Sequence, residues 1–163
     1  MSDPHVCPPG GERPLTAGET RLVRSVFGHA IDCEPVRVRR WRWFPFQPVH
    51  TVMAPCGHLH FHPDSGNYRD DFWSSDAAAQ GLFIHEMTHV WQAQRKGGWY
   101  LPLMRHPLCR YDYTLRPGWP LDRYGIEQQA EIVRHVFLLS RGRHVPGVPP
   151  LEDYRGVLPF HPA

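Results

Sequence analysis

Proline occupies 18 of the 163 positions, about twice the usual share of roughly 5%. Each proline removes a backbone donor and clashes with the preceding helical turn, so this chain must consist of many extended connections and few long helices. A sustained helical pattern within it is therefore informative. The length suits one domain with a single core. Six Trp, six Tyr and eight Phe supply enough apolar surface to exclude a disordered chain, although the overall apolar fraction is only 41%.

Residues 1–14 read as a flexible N-terminus, 15–141 as one domain and 142–163 as a tail. "LTAGETRLVRSVFG" carries Thr16 as a helix N-cap and Glu19 three residues on, a capping box, and stops at Gly28. Its buried side would be Leu22, Val23, Val26 and Phe27. Residues 36–44, 50–54 and 58–62 alternate or are β-prone, which predicts a three-stranded antiparallel meander. After a loop, Ser74, Ser75 or Asp76 can cap a helix over 77–96, ended by Gly97 and Gly98. Residues 99–122 show no sustained period. A second long helix is expected over 121–141, and the tail, with five prolines, should wrap the surface in extended form. The fold class is α+β, with a short antiparallel sheet and two long helices.

Lys plus Arg number 18 against 16 Asp plus Glu, a balance too even to indicate a nucleic-acid partner. "VRVRRWRWF" interleaves Arg37, Arg39, Arg40 and Arg42 with Trp41, Trp43 and Phe44, and its plainer explanation is a strand with one solvated face. No apolar run reaches the roughly 20 residues that cross a bilayer, and no secretory signal opens the sequence, so no membrane partner is expected. Synthesis and folding in the cytoplasm follow, with any export left to a dedicated secretion system. Cys7, Cys33, Cys56 and Cys109 form no CxxC pair and read as reduced thiols, and the placing of Cys56 two residues before His58 marks no nucleophile. Asp64, Asp70 and Asp71 match no calcium loop and read as turn and cap residues.

The chemistry concentrates in "LFIHEMTHVWQAQ", where His85 and His89 stand four apart with Glu86 between them. Four residues make about one helical turn, so both imidazoles can hold one tetrahedral metal from the same side. Glu86, about 100° round the helix, can reach a water at that metal and take its proton. The helical wheel raises an objection. Phe83, Ile84, Met87, Val90 and Trp91 form one apolar arc, and both histidines lie opposite with Thr88, Gln92 and Lys96, as on an ordinary solvated face.

That objection falls only if another element covers the face and supplies a third ligand. In "YGIEQQAEIVRHVFLL" the core side is Ile126, Val133 and Phe137, and Glu127 and Glu131 share an adjacent face. Glu127 can be the third ligand, and Glu131 can accept the free N–H of a ligating histidine. A surface ion pair of Glu131 with Arg134 or His135 is the plainer alternative. His58, His60 and His62 alternate and could build a separate three-histidine site, or line a cleft.

"HEMTHVWQAQ" followed by "EQQAE" resembles the glutamate-type zincins, or gluzincins. More narrowly, "LTAGE", "VFGHAID", "WFPFQP", "MAPCGHLHFHP" and "RDDF" together with those motifs resemble the bacterial vgr-related proteins linked to type VI secretion. The resemblance implies a small zincin-like domain holding Zn2+ through His85, His89 and Glu127, with Glu86 as general base and Glu131 as support. It also implies that residues 58–62 form the cleft rim, where a peptide could add as a strand. Candidates for stabilising the oxyanion are Tyr111 and Tyr113 in "CRYDYTL" and His135.

Two functions fit these residues. One is a zinc-dependent metallopeptidase acting on protein or peptide, linked to type VI secretion components. The other is a non-catalytic zinc-stabilised adaptor or binding domain of a secretion system. Glu86 favours the enzyme, because a purely structural site needs no carboxylate there and closes its fourth position with a protein ligand.

Overall fold

The protein's structure, a computed structural model, describes residues 6–105 and 108–161. Along the chain come β1 (Glu12–Pro14), α1 (Ala17–Phe27), β2 (Arg37–Arg39), β3 (Leu59–His60), α2 (Ala77–Lys96), α3 (Tyr100–Met104) and α4 (Ile126–Ser140). Short 3-10 turns lie at Leu121–Arg123 and Leu151–Tyr154. The class is α+β.

Helix α2 is the central element. Asp76 caps it, accepting from the Ala79 N–H at 2.9 Å, and Gly97 ends it at φ 99°, a conformation that favours glycine. One face supplies Phe83, Ile84, Met87 and Val90, all fully buried, to a core shared with Leu22 and Phe27 of α1 and Val38 of β2. Phe72 stacks between Phe61 and Phe83, with ring centroids 5.7 and 5.0 Å away. The other face packs against α4. Gly81 permits their close approach, since a Cβ there would lie 3.3 Å from a Leu138 methyl and 3.4 Å from Arg134 Nε.

Helix α4 starts later than the pattern of residues 121–141 suggests. Tyr124 is extended (ψ 155°), which separates the 3-10 turn from the helix, and Gly125 becomes the N-cap. Gln129 Nε2 donates to the Tyr124 carbonyl at 2.7 Å and fixes this break.

The sheet corrects the expected antiparallel meander. β1 pairs antiparallel with β2 (Arg13 opposite Val38), and β2 pairs parallel with β3 (Val38 opposite Leu59). Residues 50–54 contribute only the isolated bridge of Met53 with His60. β2 ends at Arg39, and the basic-aromatic stretch after it turns through Pro45 and Pro48.

Residues 12–14, the end of the N-terminal stretch expected to be flexible, form a strand, and residues 1–5 of that stretch lie outside the described residues. The strand lacks an apolar pattern because its inward residue is Arg13. The guanidinium forms a bidentate pair with Glu19, Nη1 to Oε2 and Nη2 to Oε1 both at 2.8 Å, with side chains 3% and 0% exposed. Glu19 also accepts from the backbone N–H of Thr16 (2.9 Å) and Phe72 (3.0 Å), and Thr16 Oγ1 donates to Asp71 at 2.7 Å. The capping box is present as expected, and its carboxylate additionally ties β1 and the segment before α2 to α1.

Residues 142–161 are anchored by the buried side chains of Tyr154, Val157 and Phe160. Phe160 packs 4.8 Å from Phe27 and 5.4 Å from Trp91, and the Leu121 N–H donates to the Val157 carbonyl at 2.9 Å. The four cysteines are thiols, Cys7 and Cys33 buried.

Removing one member of a buried ion pair strands the other charge. Glu19→Ala is therefore expected to cost about 3–5 kcal/mol of folding stability, measured by urea denaturation. A loss below about 1 kcal/mol, the level of an exposed pair, would contradict this account.

Candidate metal centre

His85 and His89 leave α2 on the side opposite the fully buried apolar arc, yet that side is covered. His85 is 7%, Glu86 4% and His89 2% exposed, because α4 lies over them. Glu127 stands in the first turn of α4 and reaches between the two rings. Its Oε2 lies 3.4 Å from His85 Nε2 and 3.1 Å from His89 Nε2. The three residues offer ligand atoms all within 4.8 Å of one another, the one such group of His, Cys, Asp and Glu among the described residues. Two ligands about 2.05 Å from a tetrahedral zinc stand roughly 3.3 Å apart, close to both contacts.

The far nitrogen of each ring is held by an acceptor. His85 Nδ1 lies 2.7 Å from Glu131 Oε1. His89 Nδ1 lies 2.8 Å from Gln92 Oε1, whose orientation follows from its amide nitrogen donating to the Ile126 carbonyl (3.0 Å) and Gln129 Oε1 (2.9 Å). Each Nδ1 therefore carries the hydrogen that faces its acceptor, and each Nε2 turns towards Glu127. This division of the two nitrogens is the one a ligating histidine needs. In the sequence Gln92 is one more residue of the polar face, and its role in holding His89 has no signal there beyond its spacing of three.

Glu131 is both support and ion-pair partner. Besides His85 it meets Arg134 Nη1 and His135 Nε2, each at 3.3 Å. His135 Nδ1 continues to the Tyr113 hydroxyl at 2.7 Å, which meets the Tyr154 hydroxyl at 2.6 Å.

The electrostatics favour a cation. Burial works against the carboxylate of Glu127, yet hydrogen bonds from His85 and His89 and the charges of His89 and Arg105 hold its pKa well below the usual range. Glu131 is likewise lowered, with burial outweighed by His135, His85 and Arg134. Burial disfavours the imidazolium of His85, but its bonds to Glu127 and Glu131 raise its pKa to about 9. Glu86 is raised by burial, with His85 and His89 working the other way. Its Oε2 is buried without a hydrogen-bond partner among the described residues. Two anionic carboxylates, two oriented imidazoles and an orphaned buried carboxylate oxygen suit a divalent metal of borderline softness such as zinc.

A cleft of about 320 Å³ opens onto the centre, lined by His85, Glu86, Glu131, Arg134, Arg105, Tyr111, Leu82, Thr51 and Val52. Tyr111 lines it and stacks on His85, centroids 6.3 Å apart. Tyr113 and His135 do not line it and stand behind Glu131. The wall on the sheet side is Thr51 and Val52, correcting the expectation that residues 58–62 form it. Leu59, His60 and Phe61 are all buried, so the alternation there does not separate a wet face from a dry one, and His58, His60 and His62 do not gather as a metal group. Arg105, in the stretch without pattern, also reaches the centre with no signal in the sequence; its Nε lies 3.1 Å from Glu127 Oε1.

Three arginines of the basic-aromatic stretch are committed within the chain: Arg37 to the Glu34 carbonyl, Arg39 to Glu12 and Arg40 to the carbonyls of Cys7 and Pro63. Among the described residues, no helix is long and apolar enough to cross a membrane.

No family model matches the chain. Over 133 residues, 77% of its length, it is 44% identical to the type VI secretion system spike protein VgrG2b of Pseudomonas aeruginosa. It spans 13% of the length of that protein. A solved structure, the effector domain of Pseudomonas aeruginosa VgrG2b, superposes with a TM-score of 0.74 at 36% identity, covering 96% of this chain and 87% of that one.

The raised pKa of His85 makes a pH signature. Its unfolded value is about 6.5, so the stability it contributes is fully present below that pH and is lost as pH rises towards about 9. Chelator-treated protein should therefore melt at progressively lower temperature across that window, a trend absent in His85→Ala. A wild-type melting profile that rises or stays flat there would contradict the arrangement.

Proposed function

The chain belongs to the family of the VgrG2b effector domain, which links it to type VI secretion, and from that premise we propose that it is a zinc-dependent metallopeptidase domain. The observation that carries the proposal is the convergence of His85 Nε2, His89 Nε2 and Glu127 Oε2, with both Nδ1 atoms held by acceptors on the far side. A zinc ion held by these three side chains would supply Lewis-acid activation of the scissile carbonyl and of the attacking water.

The remaining chemistry belongs to the chain. Glu86 Oε2 receives the proton of the attacking water and returns it to the leaving amine. Its burial suits that task, since a carboxylate with a raised pKa holds a proton more readily near neutral pH. Glu131 and Gln92 keep the two imidazoles in register, and Tyr111 closes the cleft beside His85. The substrate is a protein or peptide, and delivery is by a type VI apparatus. A non-catalytic zinc-stabilised adaptor is the second function in play. It assigns no role to the unpartnered Glu86 Oε2 or to the cleft beside it, so the observations favour the enzyme.

Glu86→Gln should keep the fold and bind zinc as the wild type does, and should lose hydrolysis. Peptide products generated in a bacterial lysate by wild type and variant, identified by mass spectrometry, make the comparison. Full cleavage by Glu86→Gln would sink the mechanism. Glu127→Ala should lose zinc by elemental analysis, and undiminished zinc there would remove Glu127 from the ligand set.

A further inference from the structure

We propose that Arg105 donates to the substrate carbonyl oxygen as negative charge develops on it, with Tyr111 beside it; this assignment rests on the metallopeptidase function proposed above. Hydrolysis of an amide concentrates charge on that oxygen, and a preorganised donor aimed at it is among the largest single contributions an enzyme can make. The cleft must therefore carry a donor close to both the ligand set and the base. Among the residues lining it, Arg105, Arg134 and Tyr111 carry strong side-chain donors next to His85 and Glu86.

The two arginines differ in what they serve. Arg134 pairs with Glu131, the carboxylate on the far nitrogen of His85. Arg105 pairs with Glu127 itself, on the oxygen turned away from the histidines, and its charge is felt at Glu86. It thus stands by the third ligand and near the base at once. The contact with Glu127 Oε1, 3.1 Å from Nε, is an ion contact without the alignment of a hydrogen bond, and among the described residues that oxygen has no aligned donor. A guanidinium offers five donors in a planar fork, and among the described residues the contacts with Glu127 and Tyr111 engage only part of it. The side chain is 27% exposed, at the cleft wall rather than sealed beneath it.

Tyr111 completes the pair. Its ring lies against His85, interplanar angle 17°, and its hydroxyl meets Arg105, so one wall presents a phenol and a guanidinium beside the ligand set. Tyr113 is committed elsewhere, to His135 and Tyr154, and His135 to Glu131 and Tyr113. Arg105 keeps its charge at any pH the enzyme meets, so it can stabilise an oxyanion without itself giving up a proton.

The test uses a peptide spanning a cleavage site mapped for the wild-type protein, and the phosphinic analogue of that peptide, whose tetrahedral anionic oxygen mimics the charge to be stabilised. Arg105→Met should retain zinc and bind the substrate peptide with little change in KM. Its kcat should fall about 100- to 1,000-fold, and its affinity for the phosphinic peptide should fall in parallel. Arg105→Lys, which keeps the charge and loses the fork, should recover part of both losses, and Tyr111→Phe should show a smaller loss of the same kind. Unchanged phosphinic-peptide affinity in zinc-loaded Arg105→Met overturns the proposal while leaving the metallopeptidase function standing. Loss of zinc in step with the loss of activity overturns it too, reducing Arg105 to a holder of Glu127. A wild-type protein that binds zinc but yields no cleavage product removes the function on which the proposal stands, and the proposal with it.

Discussion

Glu127 Oε2 is shared between two imidazoles borne by another helix, 3.4 Å from one and 3.1 Å from the other, and the surrounding structure exists to keep that contact dry and aligned. A buried carboxylate is costly unless every oxygen is answered. Here the inner oxygen faces His85 and His89, and the outer one faces Arg105. Each histidine is answered in turn, by Glu131 and by Gln92, so orientation passes outward through polar groups that are themselves held. The close packing of α2 on α4 at Gly81 brings these groups within reach.

Two peripheral segments brace this helix pair. The Arg13–Glu19 network ties the N-terminal strand to α1 and to the backbone at Phe72, and Phe72 stacks directly on Phe83 of α2. At the other end, Tyr154 reaches Tyr113 and through it His135, Glu131 and His85. The C-terminal segment is thus joined by hydroxyls and ring nitrogens to a candidate metal ligand, and by Phe160 to the apolar core. Neither segment advertises this in its composition, because one works through a buried arginine and the other through isolated aromatics between prolines.

Local rules read the helices well. The Thr16 capping box, the Asp76 cap and the glycine stops at Gly28 and Gly97 act within a few residues, so their chemistry is complete in the sequence. The sheet escapes such rules because strand pairing is not local. Residues 50–54 have β-prone side chains but almost no partner, whereas Glu12–Pro14 has partners and no β-prone pattern. Pairing depends on which backbone lies alongside, and side-chain alternation reports that only when one face is wet. Around Leu59, His60 and Phe61 neither face is.

The spacing of His85, Glu86 and His89 on one helix, and of Glu127 and Glu131 on another, is already written in the chain, because helical geometry converts sequence separation directly into a shared face. The sequence also raises the fair objection that such a face could be solvated. That the face is covered, that Glu127 enters between the two rings, that Gln92 holds His89, and that Arg105 comes to the cleft from a stretch with no pattern at all are visible in the folded chain alone. Those are contacts between segments far apart in the chain. They follow from how two helices pack and where a loop returns, and no periodicity within either segment encodes them.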